Sequence, residues 1–187
     1  MMQLETQRLL LRQFRVSDID DYYEYASMEK VGPMAGWIPY SNKEDAMQRL
    51  SIEIMKPHQF AIELKKEHKV IGSIEIMDVK KDRYKNIKIE ENSKELGSII
   101  SEKYWGNGYM PEAIIAALKF CFNVLHVSVV YAGYLEKNTQ SLRLKEKCGF
   151  KIVGKVPNYR KWIDGMTSDL IVVNITKEEF ETMISHS

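Results

Sequence analysis

Trp105-Gly106-Asn107-Gly108-Tyr109-Met110 is the stretch of this chain whose residue types most directly suggest chemistry. Two glycines separated by one residue lie between a strand-like run, Glu95 to Ile100, and a helix-like run beginning near Pro111. Glycine permits positive φ and close backbone approach, so successive N–H groups can turn toward an anion. The positive end of the following helix dipole adds to such a site, which needs no lysine or arginine; Lys103 is the only one nearby in sequence. The same pattern also serves as a plain strand-to-helix turn.

Two nucleotide-binding patterns fail on spacing. A P-loop requires G-x-x-x-x-G-K-[ST], which is absent. A dinucleotide fingerprint requires a third glycine or alanine at fixed distance, but Ala113 comes two residues late, after Pro111. The acidic residue that should end a second parallel strand is also missing.

A second element lies downstream. Asn138 to Lys147 reads as a short helix stopped by Gly149, with Asn138 as N-cap and Ser141 one turn further on. Capping alone would explain both side chains.

The surrounding pattern supplies the elements that must position these residues. Leu4 to Arg12 reads as a first strand, and Ser17 as the cap of a helix beginning at Asp18 with Ile19, Tyr22, Tyr23 and Ala26 at helical spacing. Val31 to Tyr40, with Gly32, Pro33, Gly36 and Pro39, reads as a loop. Ser41 and Glu44 form a capping-box signature for a helix through Met55. Phe60 to Leu64 and Val70 to Ile76 read as a hairpin, and the charged stretch Asp78 to Lys94 as a loop or short edge extension. Strands are expected at Glu95–Ile100, Val127–Ala132, Phe150–Val156 and Asp169–Ile175, with helices at Pro111–Val124 and Thr139–Lys147 and a terminal helix from Thr176. The fold class that follows is mixed α/β: a mostly antiparallel sheet with one parallel pair joined by a right-handed crossover, flanked by helices.

Composition sets the limits. The 187 residues suit a single domain, 1–187, able to bury roughly 70% of the surface of its unfolded chain. The 27 basic and 26 acidic side chains nearly cancel, which argues against broad nucleic-acid binding and leaves an RNA-associated role little support. No apolar run is long enough to cross a membrane. Cys121 and Cys148 sit in apolar contexts and are expected as two buried thiols, in a cytoplasmic, reducing location. His58, His68, His126 and His186 are scattered without metal-ligand spacing, so no metal site is expected.

Taken together, the loop at Tyr104 to Tyr109, the run Leu4 to Arg12, Glu112-Ala113 and the Asn138 to Phe150 segment resemble the GNAT acetyltransferase superfamily. They are most similar to the branch containing the N-terminal acetyltransferases of ribosomal proteins and many small-amine acetyltransferases. The resemblance spans Leu4 to about Phe180. It implies that Trp105, Gly106, Asn107, Gly108, Tyr109 and Met110 bind the pyrophosphate of acetyl-coenzyme A, with Trp105 in the usual Gln/Arg place and Met110 in the final small one. It further implies that the first strand of the parallel pair splays from its neighbour, that the backbone of Ser98, Ile99 and Ile100 pairs with pantetheine, and that Asn138, Ser141 and Lys145 lie beside it. Members of the family often form dimers, so a homodimer is compatible with the resemblance.

Acetyl transfer to an amine requires a neutral nucleophile, an oxyanion donor and help for the departing thiolate. Glu95 is the favoured base, acting directly or through a water. Glu63 and Glu75, alternating with apolar neighbours, read as exposed-face residues. Many family members have a tyrosine where this chain has Lys145, so Ser141 is the favoured hydroxyl near the sulfur, and Lys145 reads as a solvated helix lysine or a local positive charge. Of the aromatic residues near the acceptor, Tyr22, Tyr23, Tyr25, Tyr40 and Tyr159 read mostly as core, whereas Trp37 and Trp162, in polar loops, are candidates for the substrate pocket. The expected activity is acetyl transfer to a primary amine, either a protein α-amino group or a small amine. The alternative is a non-catalytic module that binds or senses acetyl-coenzyme A.

Overall fold

In the computed structural model, which describes residues 2–84, 86–161 and 165–186, the chain divides into two units. One comprises Met1–Ile76 and Ser98–Ala117, the other Met77–Gly97 and Leu118–Ser187.

In the first unit β1 (Gln3–Glu5), β2 (Leu9–Gln13), β3 (Gln59–Leu64) and β4 (Lys69–Met77) pair antiparallel in sequence order. The single strand expected over Leu4 to Arg12 is therefore a tight hairpin. Its turn contains no glycine, proline or asparagine. Thr6 makes it instead: its backbone N–H donates to the Leu9 carbonyl at 3.0 Å, and its hydroxyl accepts the Leu9 N–H at 2.9 Å.

Helix α1 (Ile19–Ala26) follows a 3-10 turn, Val16–Asp18, and the cap is Asp18 rather than Ser17. The Asp18 carboxylate accepts the Arg15 N–H at 2.7 Å and both terminal nitrogens of Arg12 at 2.8 and 2.9 Å. Arg12 Nε also reaches Glu63 at 2.6 Å, so Glu63 is part of a largely buried ion triad rather than an exposed-face residue. The segment expected as loop contains one helical turn, α2 (Gly32–Ala35). Helix α3 (Lys43–Met55) is capped by Asn42, one residue beyond the expected Ser41; Asn42 Oδ1 accepts the Asp45 N–H at 2.8 Å. Phe14, Tyr22, Tyr25, Ala26, Ala46, Leu50, Ala61 and Val70 form the core between helices and sheet. Tyr22 and Tyr25 are thus core residues, as the pattern implied.

β5 (Ser93–Ile100) crosses from the second unit into the first, and Ser98–Ile100 belong to the first. There the Ser101 N–H donates to the Ile71 carbonyl at 2.9 Å. Gly72 allows this approach: a Cβ at that position would collide with the Ile99 carbonyl and lie 2.9 Å from Ile100 Cα. Helix α4 (Tyr109–Asn123) begins in this unit, two residues before Pro111.

In the second unit β5 pairs parallel with β6 (Val129–Leu135), and the register covers only Ser93–Glu95 against Val129–Tyr131. β8 (Thr167–Thr176) pairs antiparallel with β6 and with β7 (Lys151–Lys161). The β7–β8 pairing runs on to Lys161, well beyond the expected Phe150–Val156, with register shifts between Ile152 and Gly154 and between Val156 and Arg160. Helix α5 (Thr139–Lys147) coincides with its expected span, and α6 (Lys177–Ser185) opens on a Thr176–Glu179 capping box. Tyr84, Val129, Tyr131, Leu170 and Val172 form a core cluster of this unit. The fold is the expected mixed α/β class, antiparallel apart from the β5–β6 pair. Cys121 and Cys148 are buried free thiols, as expected. Among the described residues no helix is long and apolar enough to cross a membrane.

Candidate active site

The glycine loop lies in the first unit. After β5 a 3-10 turn, Glu102–Tyr104, delivers Trp105, whose indole N–H donates to the Ile100 carbonyl at 3.1 Å and ties the loop to the end of the strand. Gly106 and Gly108 both have φ of +77°, a conformation that costs an L-residue roughly 1–2 kcal/mol. The N–H groups of Gly106, Asn107 and Gly108 donate to no acceptor among the described residues. Helix α4 begins at the next residue, and Pro111 in its first turn has no N–H to leave unpaired. Tyr109 and Met110 are buried, so the loop presents backbone rather than those side chains. N–H groups without acceptors at a helix N-terminus can receive an anion.

The sequence reading missed the residues that hold this loop. Arg8, in the β1–β2 turn, donates from Nη1 to the Asn107 carbonyl at 3.0 Å and from Nε to Glu112 Oε2 at 2.6 Å. Its guanidinium carbon sits 4.6 Å above the centre of the Tyr109 ring. Glu112 Oε1 accepts the Thr6 hydroxyl at 2.6 Å and the Arg8 N–H at 2.9 Å. Burial acts to raise the Glu112 pKa, but hydrogen bonds from Thr6 and Arg8 outweigh it and hold the carboxyl below its ordinary value. Lys103, the cation nearest in sequence, turns elsewhere and pairs with Glu24 at 2.9 Å. Nothing in local spacing connects Arg8 to Asn107; the only hint was that both runs carried the family resemblance.

Ser98, Ile99 and Ile100, expected to face pantetheine, are half-buried at the end of β5. The Ile99 side chain packs on the core of the first unit, and the Ile100 carbonyl is engaged by Trp105. Trp37 is half-buried against Gly32: its backbone N–H donates to the Gly32 carbonyl at 2.9 Å, and its buried indole nitrogen has no hydrogen-bond partner among the described residues. Trp162 lies outside the described residues.

In the second unit Asn138 caps α5, its Oδ1 accepting the Ser141 N–H at 3.0 Å. Ser141 is half-buried. Lys145 is not the solvated helix lysine expected from the sequence. It is 2% exposed, its ammonium lies 5.3 Å from the centre of the Phe150 ring, and burial lowers its pKa to about 8. Helical position alone did not reveal this, because β7 and the Gly149 turn fold Phe150 back over the lysine.

Glu95 is 3% exposed, and its Oε1 accepts from Arg83 Nη1 at 2.5 Å. Its Oε2 is buried and has no hydrogen-bond partner among the described residues. The neighbouring Tyr84 hydroxyl stops short of a hydrogen bond; burial, then the Glu95 charge, push that phenol well above its usual range. Arg83 also lies 5.1 Å from the centre of the Tyr159 ring. Arg83 and Tyr84 come from the charged stretch that the sequence offered as a loop or short edge extension. Glu75, the other rival carboxylate, is partly exposed and paired with Lys56 at 2.9 Å.

Residues 8–151 match the family model of the acetyltransferase (GNAT) domain, and the chain belongs to that family. It is an acyltransferase, and acetyl transfer is its general activity. Among its relatives is the uncharacterized N-acetyltransferase p20 of Bacillus licheniformis, 25% identical, with the alignment covering 95% of this chain and 97% of the other. The [ribosomal protein uS5]-alanine N-acetyltransferase of Escherichia coli is 31% identical over 46% of this chain and 43% of its own length, in keeping with the resemblance to the ribosomal-protein branch. A spermidine N-acetyltransferase from Vibrio cholerae, solved in complex with CoA and spermine, shares the fold with a TM-score of 0.74 at 20% identity, covering 94% of this chain and 99% of that one.

Proposed function

We propose that the protein transfers acetyl from acetyl-coenzyme A directly to a primary amine within a ternary complex. The paired positive φ values of Gly106 and Gly108, with N–H groups that find no acceptor among the described residues at the start of a fifteen-residue helix, carry this reading. The loop Trp105 to Met110 takes the pyrophosphate, the backbone of Ser98, Ile99 and Ile100 runs along pantetheine, and Asn138, Ser141 and Lys145 attend the thioester end.

Glu95 removes a proton from the acceptor ammonium, directly or through one water. The neutral nitrogen then attacks the thioester carbonyl, forming the C–N bond. Collapse of the tetrahedral adduct breaks the C–S bond as the remaining extra proton on the attacking nitrogen passes through the Ser141 hydroxyl to the departing thiolate, leaving the amide, the free thiol and an intact Ser141 hydroxyl. The unpartnered Oε2 of Glu95, beside an Oε1 fixed by Arg83, supports the choice of base. The acceptor is a protein α-amino group or a small amine, with Trp37 and Trp162 as its pocket residues; the names of the Escherichia coli relative, a ribosomal-protein-alanine N-acetyltransferase, and of the Vibrio cholerae structural neighbour, a spermidine N-acetyltransferase, support these two classes. Buried free thiols at Cys121 and Cys148 suit a cytoplasmic protein. Assaying amine-dependent thiol release from acetyl-coenzyme A against peptide N-termini and small amines tests this reading: turnover with one acceptor class supports it, and none with any acceptor refutes it.

A further inference from the structure

Three carbonyls along the loop are each taken by a donor. The Trp105 indole engages the Ile100 carbonyl at 3.1 Å, Asn107 Nδ2 engages the Trp105 carbonyl at 3.1 Å, and Arg8 Nη1 engages the Asn107 carbonyl at 3.0 Å. A trans peptide is planar, with its C=O and N–H pointing in opposite directions. A carbonyl held toward Arg8 therefore turns the Gly108 N–H away from Arg8, and the Asn107 side chain does the same for the Gly106 N–H. Glycines at φ of +77° have the freedom to rotate these peptides; the hydrogen bonds remove it.

Arg8 is itself held tightly for a side chain 42% exposed. Its Nε meets Glu112 Oε2, its own N–H meets Glu112 Oε1, and the Tyr109 ring lies beneath it. Glu112 is fixed in turn by the Thr6 hydroxyl. The planar guanidinium serves Glu112 and Asn107 at once, which an ammonium on a flexible stem does not reproduce. Glu112, in the first turn of α4, is matched by the Arg8 charge and adds no net repulsion to an anion bound there.

We infer that Arg8 is a positioning residue for the donor substrate: through the Asn107 carbonyl it aims the Gly108 N–H at the coenzyme diphosphate, with Glu112 and Thr6 setting the aim of Arg8. This rests on the reading of the loop as a diphosphate site, and it separates the diphosphate from the pantetheine arm, which Arg8 does not orient.

The test is calorimetric affinity for coenzyme A and for pantetheine, which lacks the phosphates, in wild type, Arg8→Gln and Arg8→Lys, with each variant's melting temperature measured alongside. Arg8→Gln is expected to weaken coenzyme A roughly tenfold and pantetheine by less than about twofold, the loss expected for one charge-assisted hydrogen bond. Arg8→Lys, which folds with its charge beside Glu112 intact, is expected to show most of the same selective loss. Equal weakening of both ligands, or no weakening of coenzyme A, in either variant overturns the role of Arg8 while leaving the loop reading in place. A wild type that binds coenzyme A no more tightly than pantetheine overturns the loop reading, and this inference with it.

Discussion

Arg83 Nη1 and Glu95 Oε1 lie 2.5 Å apart, and the Glu95 carboxylate is almost wholly buried while its other oxygen makes no hydrogen bond among the described residues. The pair therefore fixes one oxygen of Glu95 and leaves the second without a partner among the described residues, as the proposed base requires. The two partners should respond differently to substitution.

Glu95→Gln keeps the shape and removes the base. It is expected to cut kcat by about two orders of magnitude, a typical share for general-base catalysis, while coenzyme affinity stays nearly constant. Arg83→Gln leaves the buried Glu95 charge without its cation and is expected to cost roughly 2–4 kcal/mol of stability, read by urea unfolding. Full activity of Glu95→Gln above pH 7 would remove Glu95 from the mechanism.

Gly106→Ala isolates backbone conformation, because nothing lies within 4 Å of the added Cβ. The strain of φ +77° in alanine is expected to cost roughly 1–2 kcal/mol, appearing as weaker coenzyme binding if the loop relaxes and as lower stability if it does not. Unchanged values of both would show that the positive φ is not required. Coenzyme titration and thermal unfolding of the same preparation distinguish these outcomes.

Lys145 carries a pH signature. Burial lowers its pKa from an ordinary 10.5 to about 8, so between these values the unfolded chain holds a proton that the folded one has lost. The cost of burying the charge is full below pH 8 and disappears as pH rises toward 10.5. Lys145→Met should therefore be more stable than wild type at pH 7, by up to about 3 kcal/mol, and the advantage should shrink as the pH is raised through that window. Taking the difference between the two proteins cancels the opposing contribution of the Cys121 thiol, whose pKa burial raises, while that of Cys148, whose pKa burial raises and Lys145 lowers, stays in the difference. A constant difference across the window would contradict a depressed lysine.

How far the sequence disclosed this molecule depended on the range of the interaction. The loop was legible because glycine spacing between a strand and a helix is a local signal, and Asn138 because a cap acts within three residues. Asn42 was misread by one position because Ser41/Glu44 and Asn42/Asp45 are overlapping capping pairs, and only the backbone decides between them. The Thr6 turn lacked the usual turn residues. Arg8 and Asn107 are 99 positions apart, and the burial of Lys145 depends on Phe150 returning across it, so neither was available to a reading based on periodicity. Glu63 was taken for an exposed residue because alternation says which face a side chain is on, not that an arginine such as Arg12 will cover it.

The central claim is that the loop holds the donor for acetyl transfer to an amine. The most direct measurement follows free thiol and acetylated product together, with acetyl-coenzyme A and a panel of peptide N-termini and small amines. The account predicts amine-dependent thiol release with one N-acetyl group formed per thiol, strongly reduced in Glu95→Gln. Coenzyme binding without turnover on every acceptor would contradict it.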